Sequence, residues 1–208
     1  MILDFLRSRR SVRRFKPDLP ERAVLERLID AAVSAPSASN KQPWRFVIVT
    51  DRALIRKLAA AVRSAVERIA GHVESDYEAP FRAYGDYFTR FEEAPVVIVP
   101  LYRSLTLLSN MVDAALEKSD RDAITLMEEN SGLIGTSLAI QNLLLMAHDS
   151  GLGASVMTGP LVALGALREA LEVPPSWQIA ALIPVGYPAE EPPATPRKAV
   201  ESVVRWIE

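Results

Sequence analysis

Hydrophobic positions follow two rhythms along the chain, and each rhythm marks one kind of element. Val24, Leu25, Leu28, Ile29, Ala32 and Val33 recur at helical spacing behind Asp18 and Pro20, a start signal, so the pattern predicts a helix over 20–34. Residues 52–70 and 161–171 keep the same period, and 3–10 suits a short helix that runs into an extended arm at 11–15. Trp44 to Thr50, and Val96 to Val99 between Pro95 and Pro100, are short apolar runs rich in β-branched residues, as buried strands are. Further strands are expected at about 153–157 and 178–186. Leu133 to Met146 is apolar on nearly every side, which predicts a central helix buried in the core or between subunits.

Tyr77, Phe81, Tyr84, Phe88 and Phe91 alternate at spacings of four and three, which reads as one aromatic stripe along a helix. Such a stripe is a packing face, or a lid over a planar substrate. Residues 102–130 carry mixed charge and read as a helical insertion; after Pro192-Pro193 the apolar tail Val200 to Ile207 should dock on something. Alternating helices and strands leave α/β and α+β open, and too few βαβ units are present for a doubly wound sheet.

Composition narrows the chemistry. The 208 residues, 49% hydrophobic and 24% charged, suit one folded domain spanning 1–208. Cysteine is absent, so disulfides, thiolate metal sites, iron–sulfur clusters and Cys nucleophiles are excluded, and any redox chemistry must come from a bound cofactor. Met1 to Arg10 lacks the apolar run of a secretory signal, and no uncharged run reaches the roughly 20 residues of a membrane span, so a cytoplasmic location is expected. With a formal net charge of −2, neither nucleic acid nor a membrane is an expected partner, yet five Arg fall within 7–14.

Four segments carry candidate chemistry. Arg9-Arg10-Ser11-Val12-Arg13 gathers cations and a hydroxyl on an extended arm, as a phosphate dianion needs. Pro36 to Trp44 offers short polar side chains and bare backbone beside a strand. Gly151 to Pro160 contains a Gly-Leu-Gly where backbone amides could approach a ligand closely, and Pro196-Arg197-Lys198 adds cations near the C-terminus. Taken singly, each has a plainer reading as a solvated face or a turn. His72 and His148 have no zinc or triad spacing between them and read as structural.

Together these segments resemble the nitroreductase family of FMN-dependent oxidoreductases. The likeness rests on Ser8 to Phe15, on Ala35 to Trp44, and on Gln141 to Leu145 leading into Gly151-Leu152-Gly153 and Met157 to Pro160. Pro184 to Pro188 and Arg197 complete it. The resemblance implies an α+β fold with a central, mostly antiparallel sheet flanked by helices, and a homodimer with the C-terminal tail docked on the partner subunit. It implies that Arg9, Arg10 and Ser11 grip the FMN phosphate and that Arg13 lies near the ribityl chain or pyrimidine edge, where a cation raises the flavin potential. Pro36, Ser37, Ala38, Asn40 and Gln42 would contact the cofactor from the partner subunit. Thr158 and Gly159 would face flavin N5, with Gly159 the expected donor because Pro160 has no N–H. Arg197 would complete the phosphate cage, although Ala199 stands where many relatives have proline and leaves the register of Arg197 against Lys198 open. The implied activity is ping-pong hydride transfer from NADH or NADPH to a nitroaromatic, quinone or similar small molecule, with no essential acid or base. Flavin breakdown, dehalogenation, enone reduction or flavin binding without turnover are the alternatives. The insertion within about 60–130 is expected to shape the substrate pocket.

Overall fold

β2 (Val96–Tyr102) is the strand around which the chain assembles, because nearly all of it is buried and its side chains alternate between two cores. Val97, Val99 and Leu101 point to one side and Val96 and Ile98 to the other. The computed structural model describes all residues, Met1–Glu208. β2 pairs antiparallel with β1 (Trp44–Val49) along its whole length and, on its other edge, with β4 (Gln178–Ile179) and β5 (Ile183–Gly186). β3 (Gly153–Ala154) pairs antiparallel with β5, which gives the order β1-β2-β5-β3 with β4 also on β2. Every ladder is antiparallel, the α+β arrangement rather than the α/β one.

Helices cover both faces. α3 (Arg52–Ala70) starts where the Asp51 side chain accepts a 2.7 Å hydrogen bond from Ala53 N–H, and it buries Ile55, Leu58 and Val62 against Val97 and Val99. α6 (Leu164–Ala170) adds Leu167 to that core. On the opposite face α2 (Arg22–Val33) and α5 (Lys118–Asp149) pack Leu25, Leu28, Ile140 and Leu143 against Ile98 and Ile183. No helix is long and apolar enough to cross a membrane.

Most predicted elements stand near where the periodicity placed them, but the strand expected at 153–157 shortens to β3, β2 runs on past Val99 to Tyr102, and four further features differ. The central helix runs over 118–149 rather than 133–146, so the second half of the expected insertion is its first turns; 103–117 is irregular. Its apolar surface is only half covered within one chain, with Leu133, Ile134 and Leu138 exposed. The aromatic stripe is bent: Tyr77, Phe81 and Tyr84 belong to α4 (Ser75–Gly85), whereas Phe88 and Phe91 follow in a 3-10 segment, Asp86–Glu93. There Phe91 is fully buried and Phe81 and Phe88 pack on the core while Tyr77 and Tyr84 face solvent, so the residues do not share one face.

The strand predicted over 178–186 is interrupted at Ala180–Leu182, where Leu182 turns to pair with Met157. That interruption explains how β2 continues through Pro100. A residue's N–H and C=O in an antiparallel ladder point to the same neighbour. The Pro100 carbonyl accepts from Ala180 N–H at 2.9 Å, so its missing donor falls in the gap between β4 and β5. Finally, the segment predicted as a helix over 161–171 begins as a 3-10 turn, Gly159–Ala163, before α6.

Candidate functional site

The arm at 11–15 is stitched into place by backbone bonds on both sides. Ser11 bridges Ala154, Val12 N–H donates to the Ala154 carbonyl at 3.1 Å, and Lys16 N–H donates to Tyr187 at 2.8 Å. Ala189 N–H returns a 3.0 Å bond to the Arg14 carbonyl. The Glu190 carboxylate then accepts from Arg13 N–H at 2.8 Å and Arg14 N–H at 3.2 Å, so the chain after β5 is tied alongside the arm. Gly153 is needed here for close packing: a Cβ on it would lie 2.6 Å from Val12, whose buried side chain occupies the space. Gly151, at φ 70°, ends α5 (Lys118–Asp149) in the left-handed conformation and turns the chain into β3.

This stitching brings both ends of the polypeptide to one cleft of about 360 Å³, lined by Arg9, Arg10, Ser11 and Arg13 from the arm and Pro192, Pro193, Thr195 and Arg197 from the tail. Lys198 does not line it. No carboxylate forms an ion pair with any of the four arginines. Arg10 donates to the Arg7 and Arg9 carbonyls, Arg13 to the Ser11 carbonyl, and Arg197 to the Thr195 hydroxyl at 2.7 Å. Arg9 is half-buried, and burial, then Arg197, then Arg10 lower its pKa from the ordinary guanidinium value. Four cations gathered without a counter-ion form the donor set that a dianion fits, since charge-assisted bonds to a phosphate would relieve their repulsion.

The other candidate residues lie elsewhere on the single chain. Pro36, Ser37, Ala38, Asn40 and Gln42 line no part of the arginine cleft. Their loop includes a 3-10 turn, Ala38–Asn40, and leans on α5 at Gly135; Ser39, Asn40 and Gln42 all have φ near 50°. The Ser37 hydroxyl accepts from Gln42 N–H at 2.9 Å and the Gln42 side chain donates to Asn40 at 3.3 Å, which holds this left-handed stretch. Backbone held in that region by side chains, on an exposed loop, is the kind of strain found where a ligand is gripped. Thr158 is exposed and Gly159 lies under the Phe88 ring, which a Cβ on Gly159 would enter; Tyr84 meets Phe88 edge-on at 5.0 Å. Thr158 and Gly159 do not line the arginine cleft either.

His148 docks α1 (Ile2–Ser8): its ring nitrogen is 2.8 Å from the Ser8 hydroxyl and its ring 5.2 Å from that of Phe5. His72 is exposed at the end of α3. Sequence reasoning missed Glu190, Pro192, Pro193 and Thr195; the Pro192-Pro193 pair, which stiffens the chain opposite the arm, was their available signal.

Comparisons with known proteins show the family and the fold. The profile of the Nitroreductase family matches residues 6–187. A protein named NADH dehydrogenase from Thermus thermophilus is 31% identical over 213 residues, covering 95% of this chain and 92% of its own. Among solved structures, a BluB-like flavoprotein from Clostridium difficile 630 superposes with a TM-score of 0.87 at 24% identity, covering 100% of this chain and 99% of that one. An iodotyrosine deiodinase bound to FMN and 3-iodo-L-tyrosine gives 0.75 at 24% identity, with 100% of both chains covered.

Proposed function

Because the chain belongs to the Nitroreductase family, we propose that it is an FMN-dependent oxidoreductase that takes electrons from NADH or NADPH and passes them to a small acceptor such as a nitroaromatic or quinone. The observation that carries this reading is the unpaired cation cluster Arg9, Arg10, Arg13 and Arg197, which both ends of the chain contribute to one cleft. Ser11 and these guanidiniums would hold the FMN phosphate, and the cofactor would supply hydride exchange at N5. A phosphate held by several charged donors stays in place while substrates come and go. Arg13 would supply positive charge toward the reduced ring. The Thr158–Gly159 turn would offer its backbone N–H to N5, and the Phe88 ring against Gly159 would keep water from that side.

The loop Pro36 to Gln42 would reach the flavin of a second copy, so the site is a property of a homodimer. Its exposed polar groups line no part of their own chain's arginine cleft. Val203, Trp206 and Ile207 are exposed on the tail, and an apolar groove lined by Leu19, Leu25, Ile29, Phe46 and Ile48 flanks the open edge of β1, where the partner's tail would lie. Likeness to an iodotyrosine deiodinase favours reductive dehalogenation at the same site as the second reading.

An absorption spectrum followed by stopped-flow mixing tests the function. Yellow protein bleached by NADH or NADPH and recoloured by a nitroaromatic or quinone is expected. Yellow protein inert to both nicotinamides would make it a flavin-binding protein without turnover, and failure to take up FMN would reject both.

A further inference from the structure

A second cationic cleft, of about 490 Å³, lies between Lys41, Arg103 and the chain through Leu107, and shares no residue with the Arg9–Arg197 cleft. Resting on the function proposed above, which places Lys41 in the loop that reaches the partner's flavin, we propose that this cleft is a subsite for an oxyanionic group, phosphate or carboxylate, on a substrate that exchanges at the flavin.

Its lining carries two cations and the hydroxyls of Ser104, Thr106 and Ser176, with no acidic side chain. Neither Lys41 nor Arg103, nor the adjacent Arg45, forms an ion pair with a carboxylate. Arg45 and Arg103 both stack on the Trp177 ring, at 4.4 and 5.3 Å from its centroid, and Trp177 itself is buried. Stacking fixes a guanidinium plane while leaving its N–H edge free, the geometry that takes an oxyanion with two parallel bonds.

The cleft is also held rigidly. Arg103 N–H donates to the Pro43 carbonyl at 3.1 Å and Leu105 N–H to the Glu128 carbonyl at 3.3 Å. The buried Glu128 carboxylate accepts from Leu107, Leu108 and Ser109 N–H at 2.6, 2.6 and 3.2 Å, so its charge is absorbed by these donors. Gly132 lets the chain pass this close, since a Cβ there would run into the Arg103 carbonyl. With the cofactor's own phosphate assigned to the arginine cleft, a second set of unpaired cations beside the flavin-facing loop calls for a second anion. That anion belongs to whichever partner binds and leaves: the phosphates of a nicotinamide donor or the carboxylate of an acceptor.

The test is the Lys41→Gln/Arg103→Gln variant in FMN-loaded protein, titrated calorimetrically with inorganic pyrophosphate. Its affinity should fall about tenfold, as loss of bonds to a charged group implies, while the flavin spectrum is retained. KM should rise about tenfold more for an anionic substrate than for an uncharged analogue of it. A rise with NADH or NADPH over an N-benzyl dihydronicotinamide assigns the cleft to the donor; a rise with 4-nitrobenzoate over nitrobenzene assigns it to the acceptor. Unchanged pyrophosphate affinity, or no selective rise in either pair, overturns the proposal. Lys41→Gln alone, which leaves the Trp177 stack intact, gives the same reading if the double variant misfolds. If no flavin can be loaded, the functional reading has failed, and pyrophosphate titration of Arg9→Ala protein with and without the Lys41 and Arg103 changes still decides for or against an anion site.

Discussion

Arg9 is held among like charges, and a folded chain keeps such an arrangement only where neighbouring structure enforces it. Replacing Arg9 and Arg13 by Ala therefore should not lower the melting temperature, because repulsion is removed and no ion pair is lost. The same variant should purify without flavin, read from its absorption spectrum. Gly153 makes the opposite kind of prediction. Gly153→Ala would press into Val12 and cost about 1–3 kcal/mol by denaturant unfolding, the usual range for overpacking, and Val12→Ala in the same chain should recover much of it. The arginine cluster stood out in sequence because five Arg within 7–14 are a local excess in a chain of net charge −2, although taken singly such a cluster reads as a solvated face. Glu190, which pins the arm through two backbone N–H groups, was not legible: a lone surface-type carboxylate has no periodicity, and its partner lies 177 residues away. The packing of Val12 on Gly153 was hidden for a related reason, since sequence shows that a side chain is missing but not what fills the space.

Secondary elements came through the sequence in proportion to how far local rules govern them. α3 matches its predicted span because an Asp51 cap and a long apolar face agree, and β1 because a short run made almost wholly of strand formers has one sensible use. Where tertiary contacts decide, prediction strayed. Pro100 does not end β2, since its missing donor meets a gap, and α5 starts well before its apolar stretch because Glu128 and Gly132 anchor the 103–109 backbone. Glu128 carries a pH signature. The Ser109 side chain and then the N–H groups of Ser109, Leu107 and Leu108 outweigh burial and hold its carboxyl below the usual range. Its stabilising contribution is thus complete above the unfolded-state value of about 4.3 and is lost as pH falls through the lower folded value. In urea melts, wild type should lose its advantage over Glu128→Gln below about pH 4.3, and a constant difference down to strongly acid pH would contradict this role.

At the scale of the whole molecule, apolar surface remains uncovered at several places, among them Ile2 and Leu3 on α1, Ile134 and Leu138 on α5, and Trp206 and Ile207 on the tail. A two-fold symmetric pair is the common way to cover such surface. Trp206→Asp/Ile207→Asp should shift sedimentation toward the monomer and weaken FMN retention together. The apolar central helix and tail already pointed to a partner surface in the sequence, but periodicity says only that a face is apolar and not what lies on it.

Mixing two defective variants asks whether a flavin needs the arm of one copy and the loop of another. On the proposed reading, Arg9→Ala/Arg13→Ala protein would lack the phosphate grip, and Asn40→Ala/Gln42→Ala protein would lack the loop contacts. Each alone should be colourless; unfolded and refolded together with FMN, mixed dimers should regain one intact site and bind about one FMN per pair. Absence of recovery in dimers shown to be mixed, or full FMN binding by either variant alone, would contradict a cofactor site shared between two chains.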